Sequence, residues 1–368
     1  MNGRRGTRLG LALLVVAVLV AAVVVAALSR RSGREPAAAP TTTTTPAPSA
    51  STGAPGSTGG TPGTTGGAGG TQAAASAPAC PQRPHPVRVT GTRRDALHVA
   101  EPSSDTTYDL RGLRSVAFPD QTLYPLSFGD VRHGRPTGPA AQGLCIIGGT
   151  VVGQQPRSLT WRQVKRSYDG DGLRVQAGGR YVVEGLRVDN VEDGISPFGD
   201  GFVGRGLYFT YIRDDCIEND AISGGVVADS LLDGCSMGLS ERPSKGFRPT
   251  PPPAGETFTL DGVLLRLEPM PRDDAPDGLG NGQLFKWSPW ANRLVLRNSV
   301  FLVERVSMNG RRSMRFPAGT TAENVTLVWT GPGSYPAPVP PGVRVTKDRS
   351  VWDATRSAWL TRHGYPVR

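Results

Sequence analysis

The sequence predicts an all-β solenoid, a parallel β-helix, on three observations. One apolar position returns every 22 residues through Asp171–Arg242: Asp171-Gly172-Leu173, Asp193-Gly194-Ile195, Asp215-Cys216-Ile217 and Met237-Gly238-Leu239. The runs between these marks, such as Tyr181-Val182-Val183, Phe202-Val203, Val226-Val227 and Leu231-Leu232, are short and β-branched or aromatic. Bounded by Gly, Asp and Asn, they read as strands. No helical stretch of ten or more residues lies between them, which excludes alternating βα units. A fixed period near about 20 residues marks a stacked solenoid, whose coils bury their inner faces only against their neighbours.

Taken in order, the chain begins with a cytoplasmic stretch, residues 1–8. Residues 9–28 follow, twenty uncharged positions rich in Leu, Val and Ala behind Arg4, Arg5 and Arg8. That length crosses a bilayer, so a single-pass transmembrane signal-anchor is expected, with the C-terminal part outside the cell. Cleavage near Val25-Ala26-Ala27 is the alternative and gives a secreted protein. Residues 36–80 carry no charge and are almost all Ala, Pro, Thr, Gly and Ser, making 29–80 a disordered linker. As a flexible coil it spans roughly 35–40 Å.

Residues 81–142 are irregular, with strand candidates at Ala96–Val99 and Leu110–Phe118, and are expected to cap the open N-terminal end. The β-helix proper is expected over 143–347, opening at Ile146–Val152. Loops are expected at Arg242–Gly255 and Pro269–Gly282, with stacking resuming at Phe258–Leu267, Leu294–Val303 and Val325–Trp329. Residues 348–368 are expected to hold a short amphipathic helix. Ser350 and Asp353 resemble a capping box, and the helix is expected to lie on the last coil. Asn324-Val325-Thr326 matches a glycosylation sequon, but its place in a strand run argues for coincidence.

Of the formal charge of +10, six arginines and Glu35 around the anchor supply +5, leaving +5 for residues 81–368. No Lys/Arg-rich run occurs there, so no nucleic-acid partner is expected. The four cysteines, Cys80, Cys145, Cys216 and Cys235, all follow the anchor. Two disulfides are expected, Cys216–Cys235 from a spacing just under one coil and Cys80–Cys145 by clipping the start of the domain; free buried thiols are the alternative.

Stacking turns the period into columns about 4.8 Å apart. With Leu173, Ile195, Ile217 and Leu239 inward, Arg174, Ser196, Glu218 and Ser240 face out, and Gln176, Phe198, Asp220 and Arg242 form the next outward column. One face then gathers Asp193, Asp214, Asp215, Glu218 and Asp220, with Arg242 beside Asp220. Crowded carboxyls raise one another's pKa, which suits glycoside hydrolysis, where one carboxyl donates a proton and another activates water. Simpler readings stand beside this one. Asp before Gly serves a turn, above all at Asp171; Glu218 and Asp220 form a solvated face or pair with Arg242; the cluster holds Ca²⁺. Trp287 and Trp290 either stack on sugar rings or pack the core. Zinc, nucleotide and serine-hydrolase chemistry lack their motifs.

Asn190-Val191-Glu192-Asp193-Gly194-Ile195-Ser196, one coil before Arg213-Asp214-Asp215-Cys216-Ile217, resembles the active-site coils of polygalacturonase-type glycoside hydrolases in the pectin-lyase-like superfamily. There, Asn-Thr-Asp-Gly precedes Gly-Asp-Asp-Cys-Ile. The resemblance covers Val188–Glu241 and implies a right-handed parallel β-helix and inverting hydrolysis. It makes Asp193, Asp214 and Asp215 the catalytic carboxylates and Cys216–Cys235 a bridge. The family's Gly-His-Gly is replaced by Ser236-Met237-Gly238, and His85, His98, His133 and His363 lie outside the regular coils. Arg266-Leu267-Glu268 stands where the family has Arg-Ile-Lys. Ca²⁺-dependent lyases of the superfamily use Arg or Lys as base, a role for which Arg242 and Lys245 qualify. The expected protein is a monomeric, membrane-anchored extracellular enzyme acting on an acidic or wall polysaccharide without a cofactor. Asp193, Asp214 and Asp215 would be catalytic, with Glu218, Asp220, Arg242, Trp287 and Trp290 binding substrate. The second expectation is a non-catalytic glycan-binding or adhesive β-helix.

Overall fold

One left-handed backbone position per coil sets the stack. Gly148, Gly185, Gly206, Asp229, Gly262, Asn298 and Asn324 have φ between 43° and 71°. Each follows a strand of one sheet and precedes a strand of the next, a sharp corner that Gly, Asn and Asp tolerate best. The computed structural model describes residues 77–117, 124–129, 131–132, 135–136, 140–167, 170–243 and 251–367. The anchor, the linker up to residue 76, Phe118 and Lys245 lie outside them. Among the described residues, no helix is long and apolar enough to cross a membrane.

The fold is all-β, built from long parallel ladders. Nine strands, from Val87–Arg88 through Cys145–Ile147, Tyr181–Glu184, Phe202–Arg205 and Gly225–Ala228 to Thr321–Glu323, make one sheet. A second ladder runs from Gly91–Arg93 to Val343–Thr346 and shares the long strands Tyr208–Glu218 and Leu231–Glu241 with a third. That third ladder contains Leu97–Val99, Leu126–Phe128, Asp171–Gly178, Asp193–Phe198 and Phe285–Trp287. Inward residues of all three form one core, from Leu110 and Phe128 through Ile195, Phe209 and Ile217 to Phe301 and Trp329. Parallel pairing already begins at Val87–Arg88 with Thr107–Asp109, so residues expected only to cap the stack contribute strands to it.

The second ladder takes one 22-residue step, Gly91 to Leu113, but the unbroken run of such steps lies in the third. There, Leu173 lies opposite Ile195, Ile195 opposite Ile217, and Ile217 opposite Leu239. In the first sheet the steps are 21 (Val182 to Val203) and 23 (Val203 to Val226). Insertions interrupt the period elsewhere. Helix α1 (Trp161–Ser167) enters between Gly153 and Asp171. Leu239 next pairs with Phe285, 46 residues on; the segment between holds an antiparallel hairpin, Met270–Pro271 with Leu279–Gly280.

The Asp-Gly pairs are strand, not turn. Gly172, Gly194 and Gly238 sit inside strands with ordinary negative φ, and glycine is needed because the core leaves no room. A Cβ on Gly194 would lie 2.5 Å from the Cys216 carbonyl oxygen and 2.7 Å from the Phe209 ring. Cys216 takes the equivalent inward position and bridges Cys235, and the second bridge joins Cys80 to Cys145. The Cys216–Cys235 bridge lies in the core below the slip in register between Ile212 and Asp215, where the strand turns from the second ladder to the third.

Helix α2 (Ser350–Arg362) lies along the side of the stack rather than over its last coil. Trp352, Trp359 and Leu360 pack on Tyr208, Leu231, Leu264, Leu302 and Val328, outward residues from five successive strands of the second ladder. Its amide cap comes from Asp348, whose Oδ1 accepts from Ser350 N (3.0 Å) and Oγ (2.6 Å); the expected Ser350–Asp353 box does not form. Asn324 is a corner residue whose side-chain amide donates to Asn298 Oδ1 at 3.0 Å.

Gly194→Ala drives a methyl group into backbone and ring. It is expected to lower stability by about 1–3 kcal/mol, read from the urea midpoint at unchanged m-value.

Candidate functional site

On the third ladder, Asp171, Asp193, Asp215 and Met237 stand level in successive coils, two residues before the paired apolar positions. Asp215 N–H donates to Asp193 Oδ1 at 2.8 Å, so the column is tied coil to coil. The neighbouring outward column runs Arg174, Ser196, Glu218, Ser240 and Lys286, and Ser196 Oγ donates to Glu218 Oε2 at 3.2 Å. Two groups of acids converge. Oxygens of Asp171, Asp193 and Glu218 lie within 4.8 Å of one another, as do oxygens of Asp193, Asp214 and Asp215.

Three cations meet this cluster, Arg174 and Lys286 from strands of the third ladder and Lys165 from the inserted helix. Lys286 Nζ is 2.6 Å from Asp215 Oδ2. Lys165, on α1, is 3.1 Å from Asp214 Oδ2 and also pairs with Glu192. Arg174 Nε lies 2.5 Å from Asp171 Oδ2, its guanidinium 3.8 Å from the Tyr124 ring centroid. Burial works against both ammonium groups, but the surrounding carboxylates outweigh it and hold them charged.

The acids are affected in the opposite sense. Burial, then the charge of Glu218, pushes Asp193 well above the usual carboxylate range, with Lys165 pulling against the shift. Burial takes Asp215 up to about 6 despite Lys286. Glu218 is raised well above its ordinary value by burial and then by Asp220, Asp171 and Asp215. Burial and mutual repulsion thus shift all three acids toward holding their protons. A Ca²⁺ ion among these oxygens would have to displace two ammonium groups and those protons.

Above the cluster opens a cleft of about 1090 Å³. Asp214 and Glu218 are the two carboxyl groups on its wall; Asp193 and Asp215, only 2% and 0% exposed, lie beneath. Insertions build the rest. Helix α1 gives Trp161 and Lys165, the strand end gives Arg242, the hairpin gives Arg272, and the loop around the 3₁₀ turn Arg311–Met314 gives Arg312, Arg315 and Phe316.

The expected residues divide accordingly. Asp193, Asp214, Asp215 and Glu218 do come together, and Arg242 lines the cleft. Asp220 is buried past the end of its strand and lines no part of the cleft; it acts on Glu218 through its charge. Trp287 lines the cleft, but its Nε1 donates to Asn292 O at 3.0 Å and its ring meets Phe285 edge-on, so it also packs. Trp290 is 44% exposed and borders a separate groove of about 650 Å³ with Pro252 and Pro253. Asp171, expected to serve a turn, is a buried strand residue paired with Arg174. Arg266 pairs with Asp233 and Glu268 and is not on the cleft wall.

Sequence reasoning missed Lys165, Lys286, Arg272 and Glu192. Only Glu192 left a signal: Glu192-Asp193 recurs as Asp214-Asp215 at the 22-residue step. It also missed Glu241, fully buried, which accepts from Asn219 Nδ2 at 2.6 Å and from Asn292 N and Nδ2 at 3.1 Å each. This network pins the strand end beside Trp287.

Compared with known proteins, the chain matches no family model, no curated protein and no solved structure.

Burial lifts Glu241 from 4.5 to about 7, its amide donors only partly compensating. Between those values the folded chain holds a proton that the unfolded chain has lost, so this group's contribution to stability falls as pH rises from 4.5 to 7. The gap in urea midpoint between wild type and Glu241→Gln is therefore expected to shift in favour of the variant across that window, and to stay constant above it.

Proposed function

We propose that the cleft is the catalytic site of a carbohydrate-active β-helix enzyme that cleaves a polysaccharide outside the cell. The observation that carries this reading is the contrast between the two carboxyls on the cleft wall. Asp214 has the Lys165 ammonium 3.1 Å away. Glu218 is pushed toward its protonated form by burial and then by the acids around it. Two carboxyls on one cleft wall, one ion-paired and one raised by burial and its acidic neighbours, are the pair that glycosidic cleavage requires. Glu218 gives its proton to the departing glycosidic oxygen. Asp214 takes a proton from the water that adds to the anomeric carbon, which closes the proton balance.

Asp193 and Asp215 act from below. The charge of Asp215, with those of Asp220 and Asp171, helps keep the proton on Glu218, and the hydrogen bond from Asp215 N to Asp193 fixes the spacing of the two acids. The motifs around Asp193 and Asp214-Asp215-Cys216 support kinship with polygalacturonase-type proteins of the pectin-lyase-like superfamily, with the proton donor reassigned to Glu218. Both disulfides suit an oxidising compartment. With the apolar residues 9–28, they support a single chain anchored to the membrane and facing outward. A second reading, a glycan binder without turnover, is favoured by the neutralisation of Asp215 by Lys286 and by the absence of histidine among the described residues of the cleft wall.

Asp214→Asn and Glu218→Gln are each expected to cut release of new reducing ends or unsaturated products from a polysaccharide panel by about 10²–10⁴-fold, with fold and glycan affinity retained. Turnover equal to wild type in both variants overturns the roles given to Asp214 and Glu218, and no turnover by the wild type on any polymer decides for the binder.

A further inference from the structure

Among the described residues four basic side chains are buried: Arg174, Arg213, Arg272 and Lys286. Three of them have an acid. Arg174 pairs with Asp171, Lys286 with Asp215, and Arg272 meets Asp274 at 3.4 Å. Arg213, the deepest at 1% exposure, pairs with no carboxylate among the described residues.

Nothing around Arg213 answers its charge. Its Nη2 donates to the Leu159 carbonyl oxygen, while Nε and Nη1 are buried without a hydrogen-bond partner. Its guanidinium carbon lies 5.2 Å from the centroid of the Tyr211 ring, which a second cation, Arg157, also meets at 4.3 Å. Arg157 has Asp189 at 3.1 Å, so the unmatched charge is that of Arg213. Burial pulls Arg213 below the ordinary arginine pKa; Tyr211 opposes the fall and Arg157 adds to it. A guanidinium nevertheless keeps its proton in a protein, so a buried cation remains. Water satisfies free N–H groups but leaves such a charge unmatched. The motif that the sequence resembles has glycine at this position, so the cation is an addition to it.

The cover over Arg213 is the segment inserted between Gly153 and Asp171. It holds Arg213 through the Leu159 carbonyl and accepts the Tyr211 hydroxyl at Arg157 O, 2.8 Å away. Two residues past Leu159, Trp161 Nε1 is a further buried donor without a partner.

We propose that Arg213 is the centre of a binding site for one small monovalent anion, a halide or nitrate, which accepts from its Nε and Nη1 beneath the segment that carries helix α1. One negative charge matches the one cation left unpaired. Arg213 is on the wall of neither the cleft nor the groove beside Trp290, so a sugar or peptide has no way to it. The ion ties the inserted segment to the coil below. That segment brings Lys165 to Asp214, the residue after Arg213. The site is independent of the reading of the cleft as catalytic, because it is tested by stability rather than turnover.

The test is the thermal unfolding midpoint of the full-length protein in neutral-detergent micelles. Sodium chloride, bromide or nitrate replaces sodium gluconate, whose anion is too large for the site, at constant ionic strength. A saturable rise is expected, about 2–4 °C at tenfold the dissociation constant. Arg213→Met, which keeps the bulk and loses the charge, is expected to show no saturable rise. Arg114→Gln/Arg180→Gln, which removes two exposed charges, is expected to keep all of it. Equal midpoints in gluconate and in every small anion overturn the proposal. So does a rise that survives in Arg213→Met, which is then a general salt effect. If Arg213→Met does not fold, the chloride NMR line width of the wild type decides. Excess broadening that saturates and is reversed by nitrate supports the site, and its absence overturns it.

Discussion

Parallel stacking forces residues one coil apart to lie one above another, and everything distinctive about this protein follows from what that register does to charge. In the third ladder it places Asp171, Asp193 and Asp215 in one vertical line, mostly buried, with Glu218 in the line beside it. Carboxylates a strand spacing apart inside a protein cannot all be ionised without large cost. The structure answers in two ways. Arg174, Lys165 and Lys286 bring countercharge, and Asp193, Asp215 and Glu218 are shifted toward holding protons.

The architecture was legible because the core repeats. Leu173, Ile195, Ile217 and Leu239 mark the inner wall at constant spacing, and their pairing is what the spacing implied. The same arithmetic brought Asp193 together with Asp214 and Asp215. It did not reach Lys286, which stands above Ser240 only after an insertion lengthens one coil to 46 residues. Nor could it reach Lys165, whose helix enters between coils and leaves no trace in the period. Periodicity reports what a solenoid repeats; the walls of its cleft are made from what it does not repeat.

The lateral helix shows the same limit from the side of packing. Trp352, Trp359 and Leu360 read as an apolar stripe, and their burial was expected. Which surface they cover was not, because the outward positions Tyr208, Leu231 and Leu264 look like ordinary strand residues. Polar contacts then fix the helix: Arg356 to Asp233 at 2.6 Å, and Arg362 and His363 to the corner residue Asp229 at 2.6 Å and 3.2 Å. Asp229 thus both makes a turn and anchors the terminus, which ties the side support to the stack's own corner column.

A solenoid that needed only to stand would not keep its buried acids. Ser or Thr in the Asp193 position could accept from the Asp215 amide without a desolvated charge, whereas Asp215 is tied to the Lys286 ammonium, which its removal would leave buried and unpaired. The arrangement makes sense when proton affinity is itself the product. Asp193 and Asp215 lie below the cleft, yet the charge of Asp215 helps to raise Glu218 on the wall above. Strain of this kind is held by rigid surroundings. Here those surroundings are the inward Cys216–Cys235 bridge, the glycine at 194 that lets the coils close up, and the bond from Asp215 N to Asp193. The features that make the coil stack tightly are therefore the features that keep its acids close enough to share protons.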